Sequence, residues 1–491
     1  MADLAPLFAP ASVAIIGASE TPGKGGTNIL TNLLAHGYDG TIYPVNPRGG
    51  RIQGLPAYRD LAAVPGAVNL AFIIVPADGV LSALSQCAAR RVPAAVICSS
   101  GFGETGPEGQ RMERELVDVA QRAGIRCVGP NTVGFVSMKR RLVGSFVPMH
   151  HWEDGPIALA GQSGMFAGIM AQGLMCQATQ RLGIHVSLTF GNKMDVDETD
   201  FLEHAEADPA VEVIGLHLEA LRRPRAFLAA AARVATRKPV IAFKSGRSEF
   251  GARAAASHTG ALASNDVLIE AAFRQAGILR AYTLEEFLGT LKAFAVQPLP
   301  RGPRVGVLTT SGAWGVMAAD ELTECGLRPA RFRRETCDRV RPLLPSWAPV
   351  QNPLDFWMAV ADDSRRGHAE VFDAVLADPE VDAVLAILSP YEPIDFEDVR
   401  EVFAGLRRRH PTKPMLLSLY GGPVRDRWER ELDGLRIPIY GSTAVPAKAL
   451  AAMYRHASRR GLAPDVPDGR GPLAFDRETS AQVSSNGANE G

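Results

Sequence analysis

At 491 residues the chain is too long for one hydrophobic core, and at ~150 residues per domain it holds about three. Its 52 Lys and Arg stand against 53 Asp and Glu, so a net charge of -1 supplies no global field to hold nucleic acid or an anionic membrane. The longest apolar run, Val68 to Ala77 with Asn69 inside it, falls short of the ~20 residues that span a bilayer, and no basic leader with an apolar core opens the chain, so a soluble cytoplasmic protein is expected.

In chain order, runs rich in Val, Ile and Ala alternate with helical patterns: Ser12 to Ile16, Gly40 to Pro44, Leu70 to Val75, Ala94 to Cys98 and Arg126 to Val128. This alternation predicts βαβ units and parallel sheets, an α/β fold of three Rossmann- or flavodoxin-like domains. The first strand runs into Gly17-Ala18-Ser19-Glu20-Thr21-Pro22-Gly23-Lys24-Gly25-Gly26 and then a helix from about Thr27, which by position is a phosphate-cradling turn. A second module opens the same way: Ile157 to Ala160 meets Gly161-Gln162-Ser163-Gly164, with a small-residue helix expected to about Leu174. It continues through strands at Val186 to Phe190, Val213 to Leu218 and Pro239 to Phe243, then a helix to about Ala276.

Pro298 to Pro303 is a stiff, turn-rich linker. Beyond it, Arg304 to Leu308 enters Thr309-Thr310-Ser311-Gly312-Ala313-Trp314-Gly315, an echo of the turn at Gly161 that suggests an architectural repeat. Further strands are expected at Ala383 to Leu388, Met415 to Tyr420 and Ile437 to Tyr440. The expected domains are therefore 1–147, 148–298 and 299–463, with 464–491 a disordered tail poor in apolar residues.

The six cysteines (Cys87, Cys98, Cys127, Cys176, Cys325, Cys337) form no C-x-x-C pair and have no His at ligand spacing, so they read as buried thiols in a reducing compartment, with no metal site. His150-His151, in the stretch Pro148 to Gly155, read as linker for want of a third ligand.

The first turn lacks the third glycine of G-x-G-x-x-G, and the second strand ends in Pro44-Val45-Asn46-Pro47-Arg48, a base where NAD would want an acid. Arg48 suits a ribose phosphate, as in NADP or the 3′-phosphate of coenzyme A, and at this point both cofactors stay open, as does a solvated Arg48.

The segment Ala255-Ala256-Ser257-His258-Thr259-Gly260-Ala261-Leu262-Ala263-Ser264 sets one histidine among small residues, leaving room for a bulky group on the imidazole. Such a ring can be a nucleophile. Glu219 ends the apolar run Ile214 to Leu218, where a carboxylate is costly unless a site uses it; the alternative is an exposed strand-end Glu. Gln162, Ser163, Gly164 and Met165 open a helix whose amides and dipole can face an anion. The alternative is a simple tight turn.

Together these segments resemble the NDP-forming acyl-CoA synthetases, the superfamily of succinyl-CoA synthetase, and within it the alpha-type chain of ADP-forming acetyl-CoA synthetase. The likeness, from about Pro10 to Ala457, rests on Gly17-Ala18-Ser19 with Pro22 and Lys24, Pro44 to Arg48, Val75-Pro76, and Ser99-Ser100-Gly101-Phe102 with Glu104. It rests further on Gly129-Pro130-Asn131, Gly161 to Gly164, Gly191-Asn192-Lys193-Met194-Asp195-Val196-Asp197, Leu218-Glu219, Ser257 to Gly260 and Asn352-Pro353-Leu354-Asp355. The resemblance implies a CoA-binding first domain, a second domain with the phosphorylatable His258, and a flavodoxin-like third; it makes Glu219 the partner that holds the other ring nitrogen and fixes the tautomer, and sets Gln162, Ser163, Gly164 and Met165 around the phosphoryl group. It puts Gly17, Ala18, Ser19 and Lys24 by the pantetheine and phosphates of CoA, Asn46 and Arg48 by the adenosine end, Val75 and Pro76 along the cofactor, and Asn131 closing the site. Its reaction interconverts acid, CoA and ATP with acyl-CoA, ADP and phosphate through an acyl phosphate and a phosphohistidine.

No G-x-x-x-x-G-K-[ST] occurs, and no ATP-grasp domain is recognisable, so ATP with Mg is expected on a separate β-type subunit in a hetero-oligomer. A non-catalytic CoA-binding scaffold of the same fold is the main alternative, an NADP oxidoreductase a distant one. The acid's pocket is expected between the first two domains, by the loop Gly191 to Asp197.

Overall fold

The structure, a computed structural model, describes residues 4–164, 166, 183–253, 265–389, 396–420 and 423–464. Its apolar runs form strands covered on both faces, as parallel sheets require. In the first unit these are β1 (Ser12–Ile16), β2 (Thr41–Val45), the hairpin strands β3 (Gly50–Ile52) and β4 (Leu55–Ala57), then β5 (Leu70–Ile73), β6 (Ala94–Ile97) and β7 (Arg126–Val128). The parallel sheet has the order β2-β1-β5-β6-β7, with β3 and β4 paired apart from it.

The second sheet comprises β8 (Gly134–Ser137), β9 (Leu142–Ser145), β10 (Ile157–Gly161), β11 (Ile184–Thr189), β12 (Val213–Leu218), β13 (Val240–Lys244) and β14 (Leu279–Ala281), ordered β14-β13-β12-β10-β11-β8-β9. Strands β10 to β14 are parallel, whereas β8 runs antiparallel to both β11 and β9. The third has β15 (Arg304–Thr309), β16 (Arg328–Pro329), β17 (Leu354–Asp355), β18 (Ala383–Leu388), β19 (Met415–Leu419) and β20 (Ile439–Tyr440), ordered β16-β15-β18-β19-β20 with β17 beside β15.

The repeat suggested by the glycine turns extends to topology. Leaving aside β17 and the antiparallel pair, each sheet is wound second, first, third, fourth, fifth, so each reverses between its first and third strands. Ligands of such sheets bind beyond the strand C-termini at that reversal. The reversal lies at Gly17 and Ile74 in the first sheet, Gly161 and Glu219 in the second, and Thr310 and Ser389 in the third.

The expected strands are all present, with shifts of a few residues: β2 starts at Thr41 and β11 at Ile184, and the helix expected from Thr27 already begins at Gly25. The strands β8 and β9, unforeseen, precede the expected boundary at 147/148 yet belong to the second sheet. They bind the two units together: Ser137 Oγ donates to Phe8 O at 2.6 Å, and Phe135 packs edge-on against Phe8. The helix expected to Leu174 and the tail from 465 fall largely outside the described residues. No helix among the described residues is long and apolar enough to cross a membrane, and no three His, Cys, Asp or Glu side chains among them group to hold a metal. Cys87, Cys98 and Cys127 are buried thiols; Cys325 and Cys337 are only half-buried, a correction to the expectation for all six, while Cys176 lies outside the described residues.

Candidate functional site

Beyond β1 and β5 lies a cavity of about 560 Å³, lined by Gly17, Ala18, Ser19, Lys24, Asn46, Val75 and Pro76 among others. Backbone closeness shapes it. Gly17 has φ of 101°, and a Cβ there would stand 2.2 Å from Ile74 O; a Cβ on Gly26 would stand 2.2 Å from Gly17 O. The glycines thus let the turn lie flat on β5 and the helix Gly25–Ala35 start against the turn, with Gly25, Gly26 and Asn28 of its first turn lining the cavity. Thr27 Oγ1, buried, donates within reach of both Ser19 O at 2.8 Å and Thr21 O at 2.7 Å, clamping the loop shut.

Asn46 Nδ2 donates to Ala18 O at 2.7 Å while its Oδ1 accepts from the Arg48 amide at 2.9 Å, joining the turns after β1 and β2. Arg48 itself is exposed and absent from the cavity lining. Asn131 is also exposed and outside the lining, with φ of 60°, but its amide donates to Ser99 O at 2.9 Å, and Ser99 lines the cavity. Sequence reasoning missed Asn28, Cys98 and Phe146 in the wall. The small residues at the end of β6 were a readable signal for Cys98, whereas Phe146 enters only through the fold. Burial pushes the Cys98 thiol up to about 12, so it is a protonated wall residue rather than a nucleophile.

The cavity fits an elongated ligand carrying phosphates: glycine-lined backbone, an open helix N-terminus, the Lys24 ammonium and an apolar flank at Ile74 and Val75. Coenzyme A has that form, and its phosphates suit Lys24 and the first-turn amides.

At the second reversal, Gln162 is buried and its Oε1 accepts from the Ala220 amide at 3.3 Å, bridging the ends of β10 and β12. Ser163 and Gly164 are half-buried beside it, and Glu219 is half-buried at the end of β12. Lys244, at the end of β13, is buried; burial lowers its pKa, opposed by the carboxylates of Asp266 and Glu219. His217 stacks on Phe166 with centroids 4.0 Å apart, its Nε2 2.8 Å from Ser245 Oγ. Burial, with Lys244 and Lys193 adding, pushes it down to about 4, so it is neutral. His258 and its neighbours Ser257, Thr259 and Gly260 lie outside the described residues, as does Met165.

One loop joins the two reversals. Asn192 N donates to Pro130 O and Met194 N to Gly129 O, so residues 191–194 run along the end of β7. Asn192 Nδ2 donates to Glu104 Oε2 at 2.6 Å and Glu113 Oε2 at 2.9 Å, which occupies both its protons. Burial alone would raise the Glu104 carboxyl, but the hydrogen bonds from Asn192 and the Gly101 amide outweigh it and hold the group below its usual range. Lys193 then reaches the second reversal, donating to Ala220 O at 2.6 Å. The sequence motif placed this loop near the site but gave no sign of that bond.

Two family models match the chain, a CoA binding domain over residues 11–138 and a succinyl-CoA ligase-like flavodoxin domain over 154–294. The alpha subunit of acetate–CoA ligase (ADP-forming) II of Pyrococcus furiosus is 36% identical over 465 residues, 92% of this chain and 98% of that protein. Acetate–CoA ligase (ADP-forming) II of Archaeoglobus fulgidus is 35% identical over 464 residues, 93% of this chain but 68% of that longer protein. Among solved structures, acetyl-coenzyme A synthetase 1 of Ca. Korarchaeum cryptofilum in complex with phosphate and ADP superposes with a TM-score of 0.87 at 34% identity, covering 94% of this chain and 98% of that one. Sequence and topology agree: the chain belongs to the NDP-forming acyl-CoA synthetases, the superfamily of succinyl-CoA synthetase, and corresponds in extent to the alpha subunit of an ADP-forming acid–CoA ligase.

Proposed function

We propose that this chain is the alpha-type subunit of an ADP-forming acid–CoA ligase, interconverting acid, CoA and ATP with acyl-CoA, ADP and phosphate, and that a separate ATP-grasp β-type subunit binds ATP and Mg. The observation that carries the reading is the hydrogen-bonded run from the first cavity to the phosphate turn: Ser99 O to Asn131, Pro130 O to Asn192, Lys193 to Ala220 O, and Ala220 N to Gln162. A ligase that moves an acyl group onto a thiol through an acyl phosphate needs a thiol site and a phosphoryl site held in fixed relation.

Residues 1–147 would hold CoA, 148–298 carry the phosphoryl chemistry, and 299–463 form the third ligase domain. In the cavity, Gly17, Ala18, Ser19 and Lys24 would bind the phosphates and pantetheine, Asn46 would hold the adenosine-side turn, Val75 and Pro76 would line the arm, and Asn131 would close it. Arg48 reaches the adenosine phosphate from the surface. CoA supplies the thiol that takes the acyl group.

In the forward direction an imidazole nitrogen of His258 takes the phosphoryl group from ATP, releasing ADP, and passes it to a carboxylate oxygen of the acid. Glu219 holds the other ring nitrogen, which fixes the attacking tautomer and steadies the phosphorylated imidazole. The amides of Gln162, Ser163, Gly164 and Met165 offset the phosphoryl charge. Thiol attack on the acyl carbon then expels phosphate, and the thiol proton passes to the departing phosphate or to water. Because Asn192 has both side-chain protons engaged, the acid would meet this loop through its backbone.

The test is to purify the chain with and without its nucleotide-binding partner and follow labelled phosphate from ATP. Label on wild type but not His258→Ala, and acyl-CoA formation only with the partner, are expected. Full-rate labelling of the isolated chain would sink the two-subunit arrangement, and equal activity of His258→Ala would remove that residue from the path. CoA binding without acyl-CoA formation from any acid in a broad panel would favour the scaffold instead.

A further inference from the structure

Lys193 has no part in the reaction as set out above, yet its placement is unusual. It has φ of 61°, a left-handed conformation that residues other than glycine seldom adopt. Its side chain is only 5% exposed, with Nζ 2.6 Å from Ala220 O and 3.3 and 3.5 Å from the two oxygens of buried Glu198. Arg222 Nη1 holds the Lys193 carbonyl at 2.6 Å.

A buried Lys–Glu pair contributes little net stability, because desolvation of both charges offsets their attraction. Its geometry is the more telling feature. The peptide after Glu219 is gripped on both sides: its N–H by Gln162 of the phosphate turn and the next carbonyl, Ala220 O, by Lys193. One residue earlier, Asn192 is tied to Pro130, Glu104 and Glu113 of the first unit.

We propose that Lys193 is a positioning residue for phosphoryl transfer: its ammonium fixes Ala220, and so Glu219, against Gln162, and couples that geometry to the loop beside the first cavity. This rests on the reading of Glu219 and the Gly161–Gly164 turn as the phosphoryl site. Loss of the ammonium frees the 219–220 turn while the first cavity, built from other elements, keeps its shape.

The experiment uses the complete two-subunit enzyme and compares wild type, the double variant Lys193→Met with Glu198→Gln, which leaves no unpaired buried charge, and Lys193→Arg. Read on each are labelling of His258 from ATP, its discharge by acid and CoA in rapid quench, CoA affinity by calorimetry, steady-state kcat and KM, and the melting temperature. The expected result for the double variant is a folded protein with CoA Kd within twofold of wild type, kcat at least tenfold lower and KM for CoA unchanged. A purely structural role would lower the melting temperature but leave kcat per folded enzyme within twofold, and that outcome overturns the proposal. Should the double variant not fold, Lys193→Arg decides: it keeps the charge but replaces the compact ammonium with a larger planar guanidinium, so kcat at least threefold lower is expected, and wild-type kcat overturns the proposal. Failure of wild type itself to label at His258 would instead overturn the phosphoryl-site reading.

Discussion

Gly17 shows how much of the first site depends on one missing side chain. Its φ of 101° and the 2.2 Å that would separate a Cβ from Ile74 O leave alanine no unstrained place. Gly17→Ala should cost about 1–3 kcal/mol in strain and displace the turn that faces the cavity. CoA affinity measured by calorimetry should fall at least tenfold, with a lower melting temperature; unchanged affinity would mean the turn is not part of the cradle. The buried histidines make a second residue-level prediction. Burial pushes His368 down to about 4, its Nδ1 bonded to Ser364 O at 2.7 Å within a shell of Phe356, Phe372, Phe403 and Trp428. Between pH 6.5 and 4 the unfolded chain binds a proton that the folded one refuses. Stability is therefore full above pH 6.5 and lost as pH falls toward 4, by roughly 3 kcal/mol for such a group. Melting curves across this window should show the loss, and His368→Phe should flatten it; an equally steep dependence in the variant would assign the loss to other groups such as His217.

At the scale of elements, the helix that opens the first cavity is anchored at its far end by Asn32. This side chain is 3% exposed, and its amide donates to Ser145 O and Val147 O at 2.8 Å each while its oxygen accepts from Met149 N at 3.0 Å. Asn32→Leu strands two carbonyls and an amide, each worth about 1–3 kcal/mol when buried without a partner. Urea denaturation should show a loss of that order or more, and a change below 0.5 kcal/mol would mean water replaces all three bonds. Asn32 also marks where sequence reading stops. The central strands, such as β1 and β12, were legible because each is an apolar run bounded by turn residues, and the glycine turns at 17–26 and 161–164 followed from position. Strands β8 and β9 were not, since Gly134–Ser137 and Leu142–Ser145 gain their strand character by pairing with each other and with β11, distant in sequence. The same limit applies to the sites. Seven of the nine expected cofactor residues line the cavity, from three strand-end turns, whereas Arg48 and Asn131 lie outside its lining. Phe146 and the Lys193–Ala220 bond depend on how elements meet, which no local pattern encodes.

At the scale of the molecule, three sheets share one winding order, and a single helix joins the second to the third. Leu284–Val296 is buried along nearly its whole length: Phe287 packs with Phe166 and Phe243 of the second unit, while Gly289 O accepts from Tyr440 of the third at 3.1 Å. Further bonds cross the same seam, from Gln297 to Arg436 O at 2.6 Å and from Met415 N to Gln297 Oε1 at 2.8 Å, and Lys448 pairs with Glu286 across it. From Glu286 to Ala295 this helix is buried on every side, the charged Glu286 and Lys292 included, so the linker at 298–303 does not separate independent bodies. A chain ending at residue 298 would bare the face of this helix that meets Tyr440, Val445 and the helix Ala444–Arg459. Exposed apolar surface of that extent drives association. The shortened chain should therefore aggregate or bind a hydrophobic dye strongly, and melt well below the intact chain, even though the first cavity lies wholly before the cut. A monodisperse 1–298 fragment with an unchanged melting temperature would show that the third unit is docked rather than required. CoA affinity of any fragment that stays soluble separates the two effects, because damage confined to the seam leaves the cavity between β1 and β5 intact.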